Sequence, residues 1–177
     1  MRPLPLSLLL PLLLAVAGCK SGNGLGDEYL DNGQIRIGVS REFGGALVYL
    51  AESAKPGRNY INRHDSGRFV QYSYYGTPHS NDGVYPNWAW NPVAGGDGYG
   101  NSSRILNISN DGNAIVVRAN PMDWSGNNRR TNAVFETRYT LEGRAVRIDN
   151  TLYNDAADHS SPGRGYDQET PALYVTT

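Results

Sequence analysis

The sequence predicts an all-β fold of antiparallel strands, and three observations carry that expectation. No segment sustains apolar residues at the three-and-four spacing of an amphipathic helix. Several short runs alternate apolar and polar side chains, the period of a half-buried strand. Clusters of Asn, Asp and Gly stand between neighbouring runs at hairpin distances, and these residues adopt positive φ at little cost.

Gln34–Val39 alternates and follows Asp31-Asn32-Gly33, a turn signature. Ala46–Ala51 is a more apolar run after Gly44-Gly45. Arg68–Tyr75 predicts a third strand, with Phe69, Gln71, Ser73 and Tyr75 on one face and Val70, Tyr72 and Tyr74 on the other. Gly76–Gly100 is a long irregular stretch whose Tyr85, Trp88, Trp90 and Tyr99 argue for an ordered loop lying over the sheet. Arg104–Ser109 and Ala114–Ala119 flank Asn110-Asp111-Gly112-Asn113, a strong hairpin signal, and Val134–Leu141 and Ala145–Leu152 flank Glu142-Gly143-Arg144, a second one. Pro171–Thr177 reads as the start of another strand with no partner after it. An unpaired apolar strand is a liability, so the reading expects this chain to be the front part of a longer protein.

The chain begins with Arg2, an apolar run from Leu4 to Ala17, then Gly18 and Cys19. A positive start, an apolar segment short for a bilayer span and a small-residue ending describe a signal peptide over residues 1–18. Val16-Ala17-Gly18-Cys19 resembles a bacterial lipobox, which implies cleavage before Cys19 and acylation of its thiol; the competing reading is an ordinary signal peptide. Lys20-Ser21-Gly22-Asn23-Gly24-Leu25-Gly26 is flexible in composition, so residues 19–30 read as a tether and 31–177 as the β domain. The expectation is an extracytoplasmic protein of the bacterial cell envelope, attached to a membrane through Cys19, whose acyl chains supply about 0.8 kcal/mol per buried methylene. Cys19 is also the chain's one cysteine, so the mature domain holds together without disulfides.

Lys and Arg number 16 against 17 Asp and Glu, with no basic stripe, which excludes the electrostatic footprint of a nucleic-acid binder. The aromatic balance is 12 Tyr and 3 Trp to 3 Phe, a bias toward rings with a polar handle. Such rings suit a sugar site or a wet interface, and equally the outer faces of strands. No motif calls for a cofactor.

Two stretches concentrate chemistry, Asn59–Gln71 and Trp90–Asp97. A sugar needs directed hydrogen bonds for its hydroxyls and an aromatic face for its ring. Asn62, His64, Arg68, Gln71, Asn91 and Asp97 are the candidates for the first, and Trp88 or Trp90 for the second. His64-Asp65 has the chemistry of a general acid beside an orienting carboxylate. Neighbours on an extended strand point to opposite sides, however, and Asp65-Ser66-Gly67 reads equally as a turn whose Asp caps backbone N–H groups. Asp82, Asp97 and Asp111 in Asn- and Gly-rich loops offer oxygen ligands, but none fits a calcium loop and turn chemistry accounts for them, so no metal is expected.

The early Gly-Gly strand, the strand opened by Asn62, His64, Asp65, Gly67 and Arg68, and the aromatic Trp90-Asn91-Pro92 loop with Gly95-Gly96-Asp97 resemble exported bacterial proteins of the galactose-mutarotase-like β-sandwich superfamily over Ile35–Tyr174. That superfamily includes aldose epimerases and sandwich domains of polysaccharide lyases and glycoside hydrolases. The resemblance implies an antiparallel supersandwich with a concave sheet that binds a sugar ring. It implies His64 as the catalytic proton donor to the ring oxygen, with Arg68 holding hydroxyls. The sequence departs from the pattern in lacking a clear late strand with a catalytic Glu, and its other histidines, His79 and His159, fall in expected loops. Carbohydrate binding is the expected function, within an epimerase, lyase or hydrolase if the chain turns over a substrate. The alternative is a structural or interaction lipoprotein, which would bury the aromatics of the loop.

Overall fold

The computed structural model describes residues 27–76, 88–154, 169–173 and 175. Residues 1–18, read as a signal peptide, Cys19 with the stretch that resembles a lipobox, His79, Asp82, Tyr85 and His159 lie outside the described residues. The fold is all-β, with antiparallel sheets in the manner of a β-sandwich.

Strand β1 (Glu28–Asp31) turns into β2 (Ile35–Val39), which turns into β3 (Leu47–Glu52), and the three form one sheet in that order. The first turn is held by side chains from the residues that announce it: Asp31 Oδ1 accepts the Gly33 N–H at 2.9 Å, and Asn32 Oδ1 accepts those of Gln34 and Ile35. β1 starts three residues before the stretch read as domain, so the sheet reaches into part of the expected tether. Arg36 reaches across this hairpin to lie over the Tyr29 ring at 4.6 Å.

After a 3₁₀ turn at Ser66–Arg68 come β4 (Gln71–Ser73) and β5 (Pro92–Val93). β8 (Met122–Asp123) and β11 (Glu169–Ala172) complete a sheet of order β11-β4-β5-β8. Leu47 and Val70 exchange backbone hydrogen bonds at 3.1 Å, which joins β3 to the segment entering β4. The long strand expected over Arg68–Tyr75 is thus shorter. Asp65 winds residues 66–68 into a turn, and Tyr74 and Tyr75 lie beyond the end of β4, with rings against Trp90 and Trp88. The C-terminal run pairs with earlier segments: Ala172 faces Gln71 of β4, and Val175 bridges Ile61.

The opposing layer has the order β10-β9-β7-β6. β6 (Arg104–Asn110) and β7 (Ala114–Asn120) form the hairpin expected around Asp111-Gly112, and β9 (Val134–Glu142) and β10 (Ala145–Tyr153) the one around Gly143. The alternation fixes which face is inside: Phe135, Thr137 and Tyr139 of β9 are buried, while Arg138 between them is exposed. Ile37, Val39, Leu47, Val48, Phe69 and Val70 from one side meet Ile115, Val117, Ala119 and Tyr139 from the other in a single apolar cluster. Full burial of each larger side chain contributes about 1.5–3 kcal/mol. Gly45 makes the close approach of the layers possible: its φ is 82°, and a Cβ there would lie 2.3 Å from Val117 Cγ1.

Candidate functional site

Asn59 starts the construction of the site by acting as a piece of strand. Its Oδ1 accepts the N–H groups of Leu50 and Ile61, and its Nδ2 donates to the Val48 carbonyl, which fixes the chain against β3. The next residues form two nested turns. Asn62 Oδ1 accepts the His64 N–H at 2.9 Å, and Asp65 Oδ1 accepts the Gly67 N–H at 2.9 Å. Asp65 Oδ2 also lies 3.4 Å from Arg68 Nε. Asp65 therefore serves the turn, and His64 and Arg68 stand exposed beside it.

The second stretch is organised by a buried carboxylate. Asp97 is 1 % exposed. Its Oδ1 accepts the N–H groups of Tyr99 and Asn101, and its Oδ2 accepts the Asn101 side-chain amide at 2.8 Å and the Asn128 N–H at 2.7 Å. Asn91 is buried too: Ser73 Oγ donates to its Oδ1 at 2.7 Å, and its own N–H donates to Asp123 Oδ1 at 3.1 Å. Trp90 is 3 % exposed and meets Tyr74 edge-on at 6.2 Å, while Trp88 is half-buried with its ring centre 6.4 Å from that of Tyr75. Gln71 lies on β4, where the Leu47–Val70 bridge gives way to pairing with β11.

The two stretches do come together, through a third that sequence reasoning missed, Pro121–Arg130. The Trp124 N–H donates to the Asn91 carbonyl at 2.8 Å, and the Gly98 N–H donates to the Trp124 carbonyl at 2.9 Å. Ser66 Oγ donates to the Asp97 carbonyl at 3.3 Å. Gly67 lies so close to the Trp124 ring that a Cβ would sit 2.7 Å from its Cη2. Next to Trp124, fully buried Asp123 receives Arg129, whose Nε is 3.0 Å from Oδ2. The signal was in the sequence: Trp124-Ser125-Gly126-Asn127-Asn128 is an aromatic followed by turn formers, and Asn127 and Asn128 adopt φ of 41° and 68°.

The result is a half-buried indole where three loops meet, with His64 and Arg68 exposed on one loop, half-buried Tyr99 on the second, and Asn127, Asn128, Arg129 and Arg130 exposed on the third. These loops bring exposed polar side chains near Trp124, whose indole Gly67 abuts. Their carboxylates are engaged in holding backbone or a guanidinium. Among the described residues no group of three or more His, Cys, Asp or Glu side chains is placed to hold a metal ion, and no helix is long and apolar enough to cross a membrane. No protein-family model, curated protein or solved structure matches the chain.

Proposed function

We propose that this chain is an extracytoplasmic β-sandwich protein, lipid-anchored through Cys19 in a bacterial cell envelope, that binds carbohydrate as part of a glycan-processing or sugar-epimerising protein. The observation that carries the binding reading is the meeting of the Asn62–Arg68 turn and the Asp97 loop at Trp124, whose indole is half-buried against Gly67. Trp124 takes the platform role expected of Trp88 or Trp90, with His64 and Arg68 as the hydroxyl-binding groups beside it. The layered antiparallel sheets are compatible with the mutarotase-like architecture that the order of motifs resembles. Binding is favoured over turnover, because Asp65, Asp97 and Asp123 are each engaged within the loops.

A second reading, a structural or interaction lipoprotein, is favoured by the burial of Trp90, Asn91 and Asp97, side chains that hold the loops rather than face a ligand. Titration of the full chain with a panel of mono- and oligosaccharides, followed by Trp fluorescence and calorimetry, separates the two. Carbohydrate binding gives a saturable signal that Trp124→Ala abolishes and that His64→Ala or Arg68→Ala weakens roughly tenfold, with unchanged circular dichroism. A folded chain that binds no member of the panel leaves the structural reading. Palmitate labelling in a bacterial host, absent in Cys19→Ser, tests the anchor.

A further inference from the structure

The two edges of the β10-β9-β7-β6 sheet are built differently. β6 carries a register shift between Ile105 and Asn107 that leaves Leu106 47 % exposed, a bulge of the kind that blunts an edge. β10 pairs with β9 over its whole length, Ala145 opposite Glu142 through to Tyr153 opposite Val134, with no shift. It contains no Pro or Gly, and among the described residues it is the last strand of its sheet. Its outward residues Arg147, Asp149 and Thr151 are exposed, and its inward Val146, Ile148 and Leu152 are half-buried at the margin of the core.

The hairpin turn decides which peptide groups face this edge. Gly143 has φ 60° at the first central position of a two-residue turn, so Glu142 and Ala145 form the hydrogen-bonded closing pair. Hydrogen-bonded and open pairs then alternate along the ladder. Arg147, Asp149 and Thr151 spend their N–H and C=O groups on β9, and Val146, Ile148, Asn150 and Leu152 turn theirs outward. An added antiparallel strand must match that parity and put like faces together, which leaves a few registers two residues apart.

We propose that β10 pairs antiparallel with β10 of a second copy of this chain, about a two-fold axis at Ile148. Charge selects this register. With Ile148 opposite its own copy, Arg147 stands opposite Asp149 of the other chain, and Asp149 opposite Arg147, on the solvent face. Moving the axis to Arg147 or to Asp149 sets that residue against itself, with like charges in direct opposition. The interface is isologous, as two-fold pairing requires. The two Ile148 side chains meet on the inner face, where each alone is half-buried. Arg147 and Asp149 already pair within one strand, Nε to Oδ2 at 3.0 Å, so the dimer joins two such pairs into a ring of four alternating charges.

Sedimentation of the full chain in non-ionic detergent over a wide concentration range gives a monomer–dimer equilibrium. Arg147→Asp and Asp149→Arg each weaken dimerisation by roughly tenfold or more, because two opposed pairs turn from attraction to repulsion. The double variant Arg147→Asp/Asp149→Arg restores the dimer, and circular dichroism and thermal unfolding of each single variant, unchanged from the parent chain, separate pairing from any loss of folding. A chain that stays monomeric at all concentrations overturns the proposal. So does a dimer indifferent to the single reversals, which reports another surface or shared residence in a micelle, and so does failure of the double variant to restore association.

Discussion

The Tyr139 hydroxyl donates a hydrogen bond to the Gly45 carbonyl at 2.8 Å, deep between the two layers and across 94 residues of sequence. Tyr139 is 2 % exposed, and burial pushes its phenol above the ordinary tyrosine value, which favours the neutral hydroxyl that donates this bond. Gly45 is buried, so its carbonyl needs such a partner. Tyr139→Phe is expected to lower stability by about 1–2 kcal/mol, the cost of leaving a buried carbonyl unsatisfied. Urea unfolding followed by circular dichroism measures it, and an unchanged midpoint would show that the bond contributes nothing.

Tyr72 is the contrasting case. It is also 2 % exposed and packs 5.8 Å from Phe135, but its hydroxyl has no hydrogen-bond partner among the described residues. Burial raises its phenol pKa strongly. Removing an unpartnered hydroxyl from an apolar site removes a desolvation cost, so Tyr72→Phe is expected to be neutral or to stabilise by about 1 kcal/mol. The same unfolding experiment applied to both phenols gives opposite signs; a loss in Tyr72→Phe as large as that in Tyr139→Phe contradicts the assignment.

Most strands were legible because their signals are local. β2, β3, β6, β7, β9 and β10 announce themselves by alternation and by Asn, Asp or Gly between runs, and each hairpin falls where those residues sit. β5 and β8 were not legible: two-residue strands carry no period, and they exist because Pro92 and Val93 meet Asp123 and Met122 across a long separation. The partner of β11 was hidden for the same reason, since Gln71 and Ala172 are far apart in sequence. At the candidate site, the sequence marked the polar turn and the Asp97 loop, and a capping role for Asp65 was one of its two readings. It left out Trp124, whose place depends on contacts with Gly67 from one other stretch and with Asn91 and Gly98 from a second.

Asp97 makes the loop cluster one unit, since its carboxylate collects donors from residues 99, 101 and 128. In Asp97→Asn one oxygen becomes an NH₂ group, and either orientation turns that amide toward two donors. The expected loss is about 2–4 kcal/mol, with faster hydrogen exchange at the Tyr99, Asn101 and Asn128 amides than in the β9–β10 hairpin. Exchange that speeds up uniformly over the whole domain would mean that the carboxylate supports the global fold rather than these loops.

Asp111 gives the β6–β7 hairpin an acid-sensitive turn. Its Oδ1 accepts the Ala114 N–H at 2.8 Å and the Asn113 N–H at 2.9 Å, and these bonds to the ionised form hold its carboxyl below the ordinary carboxylate value. A folded pKa below the unfolded one means that the native state favours the charged form. The stabilisation is therefore complete above the unfolded pKa, near 4, and is lost as pH falls below that through the folded value. Asp111→Asn keeps a side-chain carbonyl that accepts the same bonds and cannot titrate there, so the variant should lack this part of the acid sensitivity while folding normally at neutral pH. Carboxyl carbon NMR of the full chain reads the Asp111 titration directly, and the Ala114 amide reports the turn. An ordinary carboxylate midpoint for Asp111, or identical acid profiles for wild type and variant at Ala114, would remove the turn from the acid response and leave it to other carboxylates such as Glu52, which the Lys55 ammonium holds low in the same direction.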